Sequence, residues 1–327
     1  MVAPIPTCEA KPAGRARSEA SRERDAEPPD ESIYLLGRPT LRHFLRFIGQ
    51  RAIHHGRVDE GMLTDEWRAA REHIATIEKD EAGIADYPAV AALGPRLQPL
   101  RDELLKNPLI THGFNTVPAN FAMVELDRLV VYQHHIDLAH ARRLKEKLGP
   151  APNEEDVFRT CLPAAPANPA VKWSRMHPDG FVFISPSNDL RFIGAVPLQP
   201  GQVGGFPTVE RLGGVVGLAV GFGSNFLNAI HVENRLILNN GSHRAFALRE
   251  LGVTHAPCII QFVSSREELD VVGPTKVCQR PDEYLKRPRP PLLKDYLNPK
   301  LRKVVPVQRR LRQVTVKFEV QESYIPD

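Results

Sequence analysis

The chain has 327 residues, enough for two domains or for one large domain with appendages. An apolar share of 42% and a charged share of 25% are ordinary for a protein that buries a core, whereas 30 prolines, well above the usual ~5%, exclude an all-helical bundle and predict many loops. No run approaches the ~18 apolar residues of a transmembrane helix, and the N-terminus lacks the apolar stretch of a secretory signal, so no membrane partner is expected.

Residues 1–30 hold Pro, Ala, Ser and mixed charges with few large apolar side chains, and are expected to be disordered. Residues 31–116 read as a helical region. Leu41, Phe44, Leu45, Ile48 and Ala52 recur at helical spacing behind Pro39 and Thr40, and a second helix is expected from Thr64, with Trp67, Ala70, Ile74 and Ile77 as its stripe and Gly83 as its end. Met123 to Val131 suggests a strand and loop, followed by a helix over 138–148 that Pro150 and Pro152 terminate. The six prolines of 150–170 read as a long connection. Short β-type runs follow at 181–185, 190–196, 215–222, 229–231 and 235–239, separated by Gly/Pro turns. A helix over 244–251, capped by Gly252, leads to a strand at 257–263. In the tail, Val314, Val316, Phe318 and Val320 alternate with polar residues as a half-buried strand does.

Charge is unevenly placed. Lys286 to Lys317 carries eleven Lys/Arg against one acid, Asp295, so the basic excess belongs to the C-terminal part and the remainder is net acidic. Residues 286–317 could bind nucleic acid through its phosphates, form a solvated arm, or pair with the acidic remainder in a homo-oligomer. Cys8, Cys161, Cys258 and Cys278 are scattered with no CxxC, which argues against a disulfide framework or zinc ribbon and fits a cytoplasmic location. The histidines of Gln133-His134-His135 and His140 match no standard zinc spacing and read as surface or core residues. Gly221-Phe222-Gly223-Ser224-Asn225 reads as a hairpin turn that could lie close to the next motif.

That motif is Asn239-Asn240-Gly241-Ser242-His243-Arg244, between a strand and a helix. Asn and Gly tolerate positive φ, so the chain can reverse there; the free N–H groups of the helix's first turn, with its dipole, then make an anion site expected to face a cleft. Ser242 adds a hydroxyl donor and Arg244 a planar fork for phosphate oxygens. The plain alternative is a capped helix with Ser242 as N-cap.

The segment resembles the ParB/sulfiredoxin-like superfamily, whose members share a strand, a GxxR turn, a helix ending A-x-x-x-L-G, and a strand. Here the turn is Gly241-Ser242-His243-Arg244 and the ending Ala247 to Gly252; a weaker match runs from Val124 through Gln133 into the 138–148 helix. The resemblance implies an α+β fold with a mixed-sheet core at 117–272, preceded by the helical region and followed by a basic extension, 273–327, that ends in a strand. It also implies that Gly241, Ser242, His243 and Arg244 hold the phosphates of a nucleotide, CTP, ATP or ADP; Asn240 of the same turn is counted with them, and Mg²⁺ is expected with a triphosphate because it would bridge phosphate oxygens that the single Arg244 cannot neutralise. His243 could contact phosphate or carry a proton. Sulfiredoxins place a reactive cysteine where this chain has Ser242, so their thiol chemistry is not expected. ParB proteins carry an ENxxR motif and a downstream helix-turn-helix; Glu233-Asn234-Arg235 lacks that spacing. The branch that phosphorylates free serine uses an acid of the opening segment as base, a role open to Glu125 or Asp127. The readings are therefore a nucleotide-binding protein that hydrolyses its ligand or transfers a phosphoryl group, a non-catalytic DNA-associated module, or a small-molecule kinase.

Overall fold

The computed structural model describes residues 29–53, 59–164, 169–176, 179–187, 189–199 and 214–323, and the expectation of disorder at 1–30 falls almost wholly outside them. In chain order the elements are β1 (Asp30–Leu35), α1 (Leu41–Arg51), α2 (Glu60–Asp80), β2 (Val90–Ala92), α3 (Gln98–Leu104), α4 (Pro108–Thr111), β3 (Ala119–Glu125), β4 (His135–Asp137), α5 (Leu138–Leu148), α6 (Glu154–Cys161), β5 (Lys172–Met176), β6 (Gly180–Ser185), β7 (Arg191–Leu198), β8 (Val215–Gly221), β9 (Asn228–Val232), β10 (Arg235–Asn240), α7 (Ser242–Glu250), β11 (His255–Val263), α8 (Arg266–Val272), α9 (Thr275–Gln279), α10 (Pro281–Leu285), β12 (Arg302–Val307) and β13 (Arg312–Lys317). The fold is α+β, and among the described residues no helix is long and apolar enough to cross a membrane.

The central sheet has the order β10-β9-β11-β3-β2 and is mixed, because β9 and β11 run parallel while the other neighbours are antiparallel. The parallel pair requires a crossover, and α7 supplies it. Ala245, Phe246, Ala247 and Leu248 are fully buried on successive faces of that helix, so it lies inside the core rather than on the surface. α5 and α6 pack against it, and Phe246 meets Tyr296 edge-on.

A second sheet, β12-β1-β4, joins distant parts of the chain. Alternation along β1 sends Ile33 and Leu35 into the main core and Tyr34 into the cluster formed with Phe44, Phe47 and Ile48 of α1 and Ile74 of α2. Strands from 31–116, 117–272 and 273–327 thus share one sheet. The remaining strands form β13-β6-β5 and the hairpin β7-β8.

Several expectations need correction. Residues 31–116 are not purely helical, since β1 and β2 lie there. The second helix starts at Glu60, because the Asp59 carboxylate accepts from Met62 N, a stronger start than Thr64. The 150–170 connection contains α6, whose Asn153 cap accepts from Asp156 N and whose first turn is acidic. The tail holds α9, α10 and β12 besides its last strand, which stops at Lys317.

The basic C-terminal stretch is woven into the fold. Arg289 is buried and makes two 2.5 Å bonds to the buried Asp295 and one of 3.0 Å to Glu81; Lys294 also reaches Glu81, at 2.8 Å. Lys303 pairs with Glu66, Arg287 with Glu78, Lys286 with Asp282, and Arg309 lies 3.7 Å from Asp30. Six of the eleven basic side chains therefore have a carboxylate partner among the described residues.

Candidate anion-binding site

β10 runs into Gly241, which adopts φ +98°, and α7 starts at the next residue. A Cβ on Gly241 would stand 2.5 Å from Leu227 Cδ1, so both the backbone and the space demand glycine. Gly241 O accepts the Ala245 N–H at 2.8 Å, but no side chain caps the helix, so Ser242 is not an N-cap. The N–H groups of Ser242, His243 and Arg244 have no acceptor within the helix, and they lie at the positive end of its dipole. Asn240 Nδ2 donates to Ser224 O at 2.8 Å, so the 222–227 loop does lie on the turn; Tyr132 donates its hydroxyl proton to Asn239 O, also at 2.8 Å.

The expectation of an open cleft holds only in part. Asn240, Gly241 and His243 are half-buried, but Ser242 and Arg244 are buried beneath them. The cause is the 225–227 segment, which Leu227 N ties to Cys161 O at 2.8 Å. Arg244 donates to that same carbonyl from Nη1 at 3.1 Å and to Asn225 Oδ1 from Nη2 at 2.6 Å. Its Nε is buried with no partner, and no carboxylate pairs with it among the described residues. Burial lowers its pKa. His243 Nε2 and Asn228 Oδ1 are also buried without partners. The His243 ring meets His140 edge-on at 5.4 Å; burial, then the His140 and Arg244 charges, push its pKa down to about 4 against the opposing pull of Asp137. His243 is therefore neutral at pH 7 and can accept or donate one hydrogen bond.

The turn adjoins a group of cationic and imidazole side chains, of which only His134 and His135 stand out in the sequence. Arg51 Nη1 donates to His135 Nε2 at 2.9 Å, which requires a neutral His135 whose remaining proton is on Nδ1. The His43 and His134 rings meet edge-on at 5.0 Å, and Tyr34 Oη lies 2.7 Å from His43 Nδ1. His134 Nδ1 is buried without a partner. Burial first, then Arg51, His243, Lys276 and Arg310, push His135 down to about 3; burial, Lys276, His43 and His135 do the same to His134. These side chains come from α1, β4 and α9, over 230 residues apart in sequence, so no local motif could expose the group.

Glu125 and Asp127 do not join the turn. Asp127 forms a bidentate pair with Arg249, at 2.7 and 3.0 Å, at the C-terminal end of α7; by helical rise that is ~12 Å from Gly241. Glu125 ends β3 and stands 4.0 Å from Arg128. Among the described residues no group of His, Cys, Asp or Glu is placed to hold a metal ion. The one acid felt at His243, Asp137, already accepts from His140 N at 3.0 Å as the cap of α5. The residues at the turn thus provide no carboxylate set for Mg²⁺, which would have to be held by phosphate oxygens and water. Cys161 and Cys258 are fully buried, and burial raises the Cys161 thiol to about 12, so neither is a reactive thiolate.

No family model matches the chain, and no curated protein or solved structure matches it.

Proposed function

We propose that the protein binds the phosphates of a nucleotide at the Asn240–Arg244 turn, as the resemblance of that turn to the ParB/sulfiredoxin-like superfamily implies. The observation that carries the reading is the Arg244 guanidinium: buried, without a carboxylate, and with its Nε unpaired beside an uncapped helix start. A buried cation without a counter-charge is costly, and a bound anion supplies the missing charge. Phosphate oxygens would take the first N–H groups of α7 and the His243 imidazole from the solvent side, with Arg244 beneath. The geometry supports binding further than turnover, because Asp127 is engaged by Arg249 at the other end of the helix. The same pairing weighs against the small-molecule kinase.

Calorimetry of the full chain with ATP, CTP and ADP, with and without Mg²⁺, tests the reading. Saturable binding by at least one nucleotide, weakened by Arg244→Met, is expected. No binding at millimolar concentration would defeat it. The DNA-associated alternative draws on a basic segment in which about half of the cationic side chains have a carboxylate partner; a steep salt dependence of duplex binding by the full chain would favour it instead.

A further inference from the structure

The group formed by His43, Arg51, His134, His135 and Lys276 has internal contacts, the Arg51–His135 hydrogen bond and the His43–His134 ring contact, but no acid. It gathers two permanent cations and three imidazoles, and His134 and His135 are held neutral at the expense of their proton affinity. No carboxylate is among the charges felt by His43, His134 or His135; every one is cationic or imidazole. Lys276 projects from the short α9 and is exposed, with no carboxylate partner among the described residues. Buried and half-buried basic side chains elsewhere can be matched to acids, as Arg289 is to Asp295 and Lys303 to Glu66. The group continues the turn: Tyr132 is tied to Asn239 O, and the next three residues lead to His135, which feels His243.

We infer that this group is a second anion subsite, which takes a further phosphate of a chain whose first phosphate is held at the Gly241 turn, so that the ligand class is a nucleoside di- or triphosphate rather than a monophosphate. His135 Nδ1–H, with Nε2 already occupied by Arg51, is left as a donor. The orphaned His134 Nδ1 can gain a proton and a partner together. Lys276 supplies an exposed ammonium that can swing onto phosphate oxygens. Arg51 is fixed between the Phe47 ring face, 5.3 Å from its guanidinium carbon, and His135, and sets the charge of the subsite rather than its reach. The inference rests on the proposed phosphate site at the turn. The shared chemistry is a chain of phosphates, whether it carries a nucleoside or not.

The test is a ladder of ligands titrated into the full chain: orthophosphate, pyrophosphate and tripolyphosphate in one arm, AMP, ADP and ATP in another, CMP, CDP and CTP in a third. Each step from one phosphate to two should tighten binding by about tenfold or more, the scale of one added charge-assisted contact. Lys276→Gln and His134→Gln should flatten that step and leave monophosphate affinity within about twofold. Because Lys276 is exposed, its variant tests the subsite even if the His134 variant fails to fold. A nucleotide ladder with no counterpart in the nucleoside-free arm would place the nucleoside among the contacts and still support the subsite, provided Lys276→Gln flattens it. Equal affinity for mono- and triphosphates, or a ladder that survives both substitutions, would overturn the inference while leaving the turn intact. Failure of every ligand to bind would remove the turn reading and the subsite with it.

Discussion

Arg289 and Arg244 are both buried guanidinium groups, held in opposite ways. Arg289 is gripped by Asp295 and Glu81; burial alone would lower its pKa, and the two carboxylates more than reverse that, so it lies above the ordinary arginine value. Arg244 has a carbonyl and an amide oxygen as partners, and burial prevails. The contrast extends to their surroundings. The C-terminal stretch is rich in positive charge and its buried arginine is neutralised inside the fold, while the turn and the His43–Lys276 group are poor in charge by sequence count and have no carboxylate partner among the described residues. Counting Lys and Arg along the chain finds the first region and passes over the second.

Removing an acid from the compensated region should have the largest effect. Asp295→Ala leaves the buried Arg289 with Glu81 as its one carboxylate among the described residues and takes the acceptor from Leu292 N, and should destabilise the protein by about 3–5 kcal/mol in a denaturant titration, whereas replacing Arg289 and Asp295 together by Met and Leu should recover most of that loss. A single-variant loss below about 1 kcal/mol would break the comparison at its firmer end. Next comes the turn. Gly241→Val forces a β-branched residue to φ +98° and drives its Cβ into Leu227. The left-handed conformation costs about 1–2 kcal/mol and the overlap a further ~1–2, so a loss of about 2–4 kcal/mol is expected together with loss of ligand binding.

Much of this frame was legible in the sequence where the signals are local. The 138–148 helix and the strand–turn–helix–strand over 235–263 could be read because a proline pair, a glycine turn and a helical period lie within a few residues of each other. β1 does not separate from the helical region by sequence, because its partners, β12 and β4, come from far along the chain, and a six-residue run of apolar and polar residues has no period strong enough to declare itself alone. α6 had a readable signal, Asn153 followed by three acids, which the flanking prolines masked. Of the site, the turn was legible and the second group was not: His134 and His135 gain meaning only when α1 and α9 are folded against them. Burial of Arg244 was invisible too, since it depends on the 225–227 segment closing over the turn.

Arg244→Met sharpens the contrast by removing charge without volume. At a compensated site such a change leaves a carboxylate stranded; here Cys161 O keeps its bond from Leu227 N, so stability should change by no more than about 1 kcal/mol while nucleotide affinity falls by about 1.5–3 kcal/mol. A stability loss above about 3 kcal/mol would make Arg244 a strut of the core, and the absence of any affinity change would end its role in binding.

The imidazoles offer a milder probe, through pH. His134 and His135 have folded pKa values pushed down to about 3 and His243 to about 4, below the ~6.5 of an unfolded histidine. From pH 6.5 down to about 4 the unfolded chain takes up protons that the fold refuses, so stability falls as pH falls, by at most ~1.4 kcal/mol per pH unit for each histidine. Burial is the largest cause at each ring, followed by Arg51, His243, Lys276 and Arg310 around His135, by Lys276, His43 and His135 around His134, and by His140, the opposing Asp137 and Arg244 around His243. His135→Gln should make the decline shallower over that window, and bound tripolyphosphate should do the same by stabilising the protonated rings. Identical slopes for the two proteins without ligand would show that His135 is not held neutral by its surroundings.

The smallest effect is expected at the opposite end of α7. Asp127 and Arg249 are partly exposed, at 29% and 18% of their side-chain surfaces, and form a compensated pair in which water already screens both charges. Asp127→Asn keeps the shape and one hydrogen bond, so about 0–1 kcal/mol of stability should be lost. Nucleotide affinity should be unchanged, because ~12 Å of helix separates Asp127 from Gly241. If the wild-type protein turns its nucleotide over, the rate should also survive Asp127→Asn. A rate that collapses while affinity holds would restore Asp127 as the base suggested by the kinase-like branch, and would require a second phosphoryl-acceptor site to reach down the length of the helix. A loss of affinity instead would mean that the two ends of α7 are coupled through its position in the core, and that compensation at one end helps to hold the uncompensated charge at the other.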